Sequence, residues 1–198
     1  PVFAAMLGTV YAGCCYSVLD TRQPAARTQQ VLNTLQPSLL ITDRDHADAA
    51  AALGCCCSVY LLEDLLTAAV QPSLLAARRA QAVDVDPLYI NFTSGSTGVP
   101  KGVTVSHRSV LDFIPQFAAI FGIKAQDILG NQAPFDFDVS VKDLYTALYT
   151  GAKVQIIPRA YFSQPTKLMD YLADHEVTIL VWAVSAMCFV SIMNGFSY

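Results

Sequence analysis

The chain has 198 residues and a formal net charge of −4. Length alone allows one or two domains, and an acidic balance gives no support to nucleic-acid binding. The composition is 54% hydrophobic and only 14% charged, against about 25% charged in ordinary globular domains. Such a chain either spans a membrane or buries surface against something else.

Taken in order, Val2 to Tyr11 reads as a helix ended by Gly13. Cys15 to Leu19 is a short strand, and Pro24 to Leu35 is a helix with proline in its first turn. Ser38 to Thr42 is a strand, His46 to Leu53 a helix closed by Gly54, and Cys57 to Leu62 another strand. Glu63 to Gln81 is rich in Leu and Ala and mixed in character. Leu88 to Phe92 and Val103 to Ser106 are strands, and Ser106 caps a helix from His107 to Phe121. Asp127 to Gln132 leads into a Phe-Asp segment. The helix Ser140 to Tyr149 follows, closed by Gly151. Val154 to Ile157 is a strand, Pro165 to His175 a helix, and Val177 to Trp182 a strand. Strands alternating with helices predict crossover units: an α/β fold with a largely parallel β-sheet flanked by helices on both faces.

Val177 to Tyr198 carries no charge, which invites a membrane reading. Its first part is β-branched and strand-like, Ser185, Ser191, Asn194 and Gly195 interrupt the rest, and no basic cluster flanks it. No membrane is expected. The uncharged start, Pro1 to Leu19, lacks a basic signal-peptide region and reads as the inside of a buried helix of a larger protein. Cysteines stand at 14, 15, 55, 56, 57 and 188. Adjacent pairs fit neither a disulfide framework nor zinc spacing, so reduced, buried thiols in a cytoplasmic protein are expected. The histidines show no ligand spacing.

The stretch YINFTSGSTGVPKGV, Tyr89 to Val103, carries the chemistry. A strand enters a loop of hydroxyls and glycines: Thr93, Ser94, Gly95, Ser96, Thr97 and Gly98. A second strand leaves after Lys101. Glycine lets backbone N–H groups turn inward as an anion-binding nest. The hydroxyls add donors, and Lys101 adds a movable positive charge suited to phosphate. It is neither the Walker loop nor G-x-G-x-x-G. The bland alternative is a flexible Ser/Thr/Gly turn between two strands.

TSGSTGVPKGV, preceded by DPLYINF, resembles the phosphate-binding signature of adenylate-forming enzymes. It is most similar to the amino-acid-activating domains of nonribosomal peptide synthetases and to D-alanine–carrier-protein ligases. GTVYAGCCYSVLDTRQPAAR, Gly8 to Arg27, resembles the family's LKAGxAYVPLDPxxPxxR segment. PFDFDVSVKDLYTALYTGA, Pro134 to Ala152, resembles its FDxS substrate segment. The resemblance implies the large N-terminal domain of such an enzyme, present in part over residues 1–198, truncated at both ends and without the small C-terminal domain. The adenine- and ribose-binding motifs of the family lie further on, as does the lysine that contacts the reacting carboxylate. It also implies ATP with Mg2+, an amino acid, and a carrier protein bearing phosphopantetheine. The chain by itself is expected to be inactive, and no catalytic residue is assigned within it.

In the FDxS segment the resemblance places Asp138 against the substrate α-ammonium. The competing role for Asp138 is to cap the helix that begins at Val139. Positions matching Val139, Lys142 and Val181 line the side-chain pocket in similar domains. Lys142 stands four residues after Asp138, on the same helix face. It either pairs with Asp138, solvates the surface, or lines the pocket, where it would suit an acidic substrate such as glutamate. His107 is either a contact near the nucleotide or a residue of the first helical turn. Two further readings remain open: an acyl- or aryl-CoA ligase of the same superfamily, and a non-catalytic nucleotide-binding or interaction module.

Overall fold

The structure, a computed structural model, describes residues 2–94 and 98–195. It divides into two compact units, Pro1–Ser109 and Val110–Tyr198. The first holds α1 (Val2–Tyr11), α2 (Ala25–Leu35), β1 (Leu39–Thr42), α3 (Ala47–Ala52), β2 (Ser58–Leu61), α4 (Leu62–Thr67), α5 (Pro72–Gln81), β3 (Pro87–Thr93) and β4 (Lys101–Ser106). The boundary falls within α6 (His107–Phe121). The second unit continues with β5 (Ile128–Asn131), α7 (Val139–Thr150), β6 (Lys153–Ile156), α8 (Pro165–Asp174) and α9 (Val184–Ile192).

The α/β class is as the alternation predicts, with the strands grouped in pairs. β1 and β2 run parallel, from Leu39 opposite Ser58 to Thr42 opposite Leu61. β5 and β6 run parallel, from Ile128 opposite Lys153 to Asn131 opposite Ile156. Parallel neighbours need a crossover, and α3 and α7 supply it. β3 and β4 are an antiparallel hairpin. Two segments read as strands make single parallel bridges instead. Tyr16 pairs with Tyr89, and Ile179 pairs with Leu129. Around Tyr16 the backbone still closes both bonds: its N–H donates to Leu88 O at 3.2 Å, and its carbonyl accepts from Ile90 N at 2.9 Å.

Helix ends follow the local chemistry. Gly13, Gly54 and Gly151 have φ of +76°, +59° and +79°, a left-handed region where side chains other than glycine are strained. Each ends the helix it was expected to end. The stretch Glu63 to Gln81 resolves into α4 and α5, separated by a break before Pro72.

α1 buries only Met6 within its unit. Two expectations about the cysteines are corrected. Cys14, Cys15, Cys56 and Cys188 are exposed, not buried, and Cys55 is joined to Cys57. Cys14 and Cys15 follow the turn that ends α1, and the left-handed turn at Gly54 brings the Cα atoms of Cys55 and Cys57 to 5.3 Å. The charge-free C-terminal stretch holds the short helix α9. Among the described residues, no helix is long and apolar enough to cross a membrane.

The second unit has two apolar clusters. One joins Ile157, Leu168, Leu172 and Val190, with Phe162 and Trp182 packed against them. The other joins Phe117, Ile123 and Leu129. Leu168 is wholly buried. Removing a fully buried leucine side chain leaves a cavity that the surroundings fill only in part. Leu168→Ala is therefore expected to lower the stability of the chain by about 2–5 kcal/mol. Denaturant unfolding checks this: the midpoint falls while the m value stays constant.

Candidate active site

The segment expected to hold phosphate lies at the tip of the β3–β4 hairpin, in the first unit. Thr93 and Lys101 are register partners at the mouth of the loop. Directly opposed residues of an antiparallel pair carry their side chains on the same face, so the hydroxyl and the ammonium leave the ladder on one side. Both residues are exposed. Ser94 is exposed as well. Gly98 has a φ of +80°, the conformation a turned-in nest requires. Gly95, Ser96 and Thr97 lie outside the described residues.

The returning strand is anchored by Pro100, which is fully buried. Gly102 stands opposite Phe92. A Cβ there would lie 3.0 Å from Ile90 Cγ2 and 3.3 Å from Phe92 Cζ, so the close approach of the strand needs glycine. Arg27 Nη2 donates to the Thr93 carbonyl at 3.2 Å. It therefore brings a second cation to the point where β3 enters the loop. Sequence reasoning quoted Arg27 only as the last residue of a resembling segment, and nothing in its spacing pointed to β3.

Behind the hairpin, Ser106 caps α6 as expected: Ser109 N donates to Ser106 Oγ at 3.3 Å. His107 is the first residue of that helix, and its N–H donates to Asp86 O at 3.1 Å. The helix-turn reading of His107 therefore fits. Arg108 forks onto Asp84 with two bonds of 2.8 Å, which hold the Asp84 carboxyl below the usual carboxylate range.

The Phe-Asp segment lies in the second unit, after the carboxyl end of β5. Ligands of open α/β sheets bind beyond the carboxyl ends of strands. Asp138 occupies the position before α7, but its side chain makes no capping hydrogen bond. It is exposed, not partly buried, because it lies outside the helix and ahead of the first packed turn. The capping role is thus not exercised. Val139, the first residue of α7, is half-buried.

Lys142 does not pair with Asp138. Its Nζ donates to Asp143 Oδ1 at 2.7 Å, with the two side chains 12% and 3% exposed. The other carboxylate oxygen, Oδ2, accepts from Asn131 Nδ2 at 3.0 Å. Asn131 ends β5 and is itself buried. A buried carboxylate therefore ties the first turn of α7 to the end of β5. Sequence reasoning missed Asp143 and Asn131. The only available signal was that Asp143 falls on the inward face of the helix with Ser140, Leu144 and Ala147, all of which are buried.

Val181 also depends on β5. Gly130 N donates to Ile179 O at 2.9 Å, and Trp182 Nε1 donates to Gly130 O at 2.8 Å. Between these two bonds Val181 packs on the Phe117, Ile123 and Leu129 cluster. A Cβ on Gly130 would stand 2.7 Å from Leu180 Cδ2 and 3.0 Å from Val177 Cγ1, so any larger residue there would have to displace those side chains. Asp138, Val139, Lys142 and Val181 thus all hang from one short strand.

The family profile of AMP-binding enzymes matches residues 2–194. The chain belongs to the AMP-binding enzyme family. It is 34% identical over 187 residues to syringomycin synthase SyrB1 of Pseudomonas syringae pv. syringae, covering 92% of this chain and 29% of that protein. It is 31% identical over 186 residues to the D-alanine–D-alanyl carrier protein ligase of Staphylococcus aureus strain MRSA252, covering 94% and 37%. Among solved structures it resembles the four-domain nonribosomal peptide synthetase holo-AB3403, bound to AMP and glycine. The TM-score is 0.76 at 26% identity, over 96% of this chain and 14% of that one. The AMP-binding chain thus spans well under half the length of the curated relatives it matches.

Burial pushes the Asp143 carboxyl above its ordinary value, against the pull of Lys142 and of Asn131. A carboxyl raised on folding favours the native state below its unfolded pKa, and that contribution is lost as pH rises through the native value. The stability of the wild-type chain minus that of Asp143→Asn is therefore expected to fall as pH rises from about 4. Unfolding curves of the two proteins across pH check this, and other carboxylates cancel in the difference. A difference that stays level with pH contradicts it.

Proposed function

We propose that this chain carries the ATP phosphate loop and the amino-acid-binding carboxylate of a longer, cytoplasmic ligase. That ligase joins an amino acid to AMP, releases pyrophosphate, and passes the aminoacyl group to the phosphopantetheine thiol of a carrier protein. The observation that carries the reading is Asp138. It is an exposed carboxylate, not engaged as a cap, set beyond the carboxyl end of a strand, in a family whose members bind AMP. An ammonium is the natural partner of such a group, and a substrate without one has no use for it.

The relatives support this. One is named for attaching D-alanine to a carrier protein, another for attaching L-proline, and the four-domain synthetase holds AMP and glycine. The exposed apolar side chains also fit a larger assembly. Phe113 and Ile120, seven residues apart on one side of α6, are 45% and 78% exposed, and exposed apolar neighbours of this kind are often covered in a larger assembly.

The residues suit the chemistry in separate ways. Thr93, Ser94 and Gly98, with Gly95, Ser96 and Thr97, would hold the β- and γ-phosphates by hydroxyl and N–H donors. Lys101 and the hairpin dipoles would stabilise negative charge as it shifts onto the leaving pyrophosphate. Asp138 would hold the α-ammonium of the amino acid, whose carboxylate oxygen attacks the α-phosphorus of ATP. That oxygen forms the new P–O bond, and the bond to the pyrophosphate oxygen breaks with its electron pair. Among the described residues, no group of three or more His, Cys, Asp or Glu side chains could hold a metal ion. Mg2+, which favours phosphate oxygens, would therefore enter with ATP and lower the charge of the leaving group.

In the complete ligase, Asp138→Asn is expected to lower kcat/KM for the amino acid in pyrophosphate exchange by about 10- to 100-fold, with the KM for ATP little altered. Lys101→Ala is expected to act on the ATP side instead. Equal exchange rates in wild type and Asp138→Asn would sink the amino-acid reading.

A further inference from the structure

We infer that Asp143 sets substrate class by neutralising Lys142, so that the site admits amino acids with uncharged side chains and turns away acidic ones. The inference rests on the amino-acid reading above and narrows it. A lysine in the pocket wall would by itself suit glutamate or aspartate. The ammonium of Lys142, however, lies 2.7 Å from Asp143 Oδ1, inside a pair whose side chains are 12% and 3% exposed. The other oxygen of the carboxylate, Oδ2, is engaged by Asn131 Nδ2 at 3.0 Å. The ammonium is thus fixed on one side by a carboxylate that is itself fixed.

Two consequences follow for a bound amino acid. Its α-ammonium meets Asp138, a carboxylate whose charge is not used within the helix. Its side chain would meet a wall in which the charge of Lys142 is already cancelled. What Lys142 leaves to that wall is its hydrocarbon stem; Val139 and Val181, which the family resemblance assigns to the same wall, are half-buried. An acidic side chain would gain an ion pair only by drawing Lys142 off Asp143. That exchange would leave a buried carboxylate with a single neutral partner, and removing one member of a buried ion pair is strongly unfavourable. An uncharged side chain requires no such rearrangement. Asp143 therefore works by exclusion: it spoils the fit of the wrong substrate more than it improves the fit of the right one.

The test is ATP–pyrophosphate exchange by the complete ligase, with glycine, alanine, valine, leucine, glutamate and aspartate as substrates. Wild type is expected to favour its best uncharged amino acid over glutamate and aspartate by about 100-fold or more in kcat/KM. Asp143→Asn keeps the shape and the bond to Asn131 but frees the lysine charge. It is expected to narrow that ratio by about tenfold, by lowering KM for the acidic amino acids. A purely structural role for Asp143 would depress all substrates alike and leave the ratio intact. The variant Lys142→Met, which does not depend on Asp143→Asn folding well, is expected to lose activity overall and to keep the preference for uncharged substrates. A wild-type preference for glutamate or aspartate that vanishes in Lys142→Met overturns the inference while leaving the amino-acid reading standing. Exchange that requires a carboxylic acid without an amino group, and that Asp138→Asn does not alter, overturns both.

Discussion

Both oxygens of the Asp143 carboxylate accept hydrogen bonds inside the second unit, one from the ammonium of the preceding residue, Lys142, and one from the side-chain amide of Asn131, which ends β5. Taking such a group out of water costs several kcal/mol unless each lone-pair direction finds a donor. Here Lys142 and Asn131 are those donors, and the arrangement is sensitive to the placement of α7. If the helix slid by one residue along β5, a hydrophobic side chain would stand where the carboxylate is and the carboxylate would lose its partners. The orientation of the first turn, and with it the direction in which Asp138 and Val139 leave the backbone, follows from that constraint.

The hairpin in the first unit solves a different problem. The proposed phosphate cradle is rich in Ser, Thr and Gly and would need to be held at a fixed place. Rigidity comes from the ladder beneath it. Thr93 and Lys101 close the pairing, Pro100 is buried, and Gly102 allows the strands to approach where any side chain would press on Ile90 and Phe92. Arg27 then fixes the last carbonyl of β3 from outside the hairpin. Binding groups on a loop are placed well only when the scaffold under them is stiff, and these four features supply the stiffness.

Much of this was legible in the sequence, for reasons that differ from element to element. Helix ends at Gly13, Gly54 and Gly151 could be read because left-handed backbone is a local requirement that glycine alone meets cheaply. The strands on either side of the loop between Thr93 and Lys101 could be read because each is a short β-rich run. Partners distant in sequence could not. Cys15 to Leu19 and Val177 to Trp182 have the composition of strands, yet each forms one bridge, since strand extent is set by a neighbour that the segment does not contain. The spacing of Asp138 and Lys142 gave the right helix face and the wrong partner. An i,i+4 rule describes exposed helices, whereas here the lysine turns toward a carboxylate that packing has buried. Cys14, Cys15 and Cys56 misled because their usual preference for the interior says nothing about a thiol placed beside a turn.

The bridge between Tyr16 and Tyr89 bears on how the first unit comes to be folded. The two rings stack with centroids 5.9 Å apart, and the backbone bonds on either side of Tyr16 reach only to Leu88 and Ile90. A contact between residues so far apart in the sequence pays its chain-closure entropy before it returns any enthalpy, and contacts of that kind slow folding. On a ribosome, the segment through Tyr16 emerges long before the strand that receives it. The earliest part of this unit to be synthesised thus waits for β3, and until β3 exists Tyr16 has no strand to join.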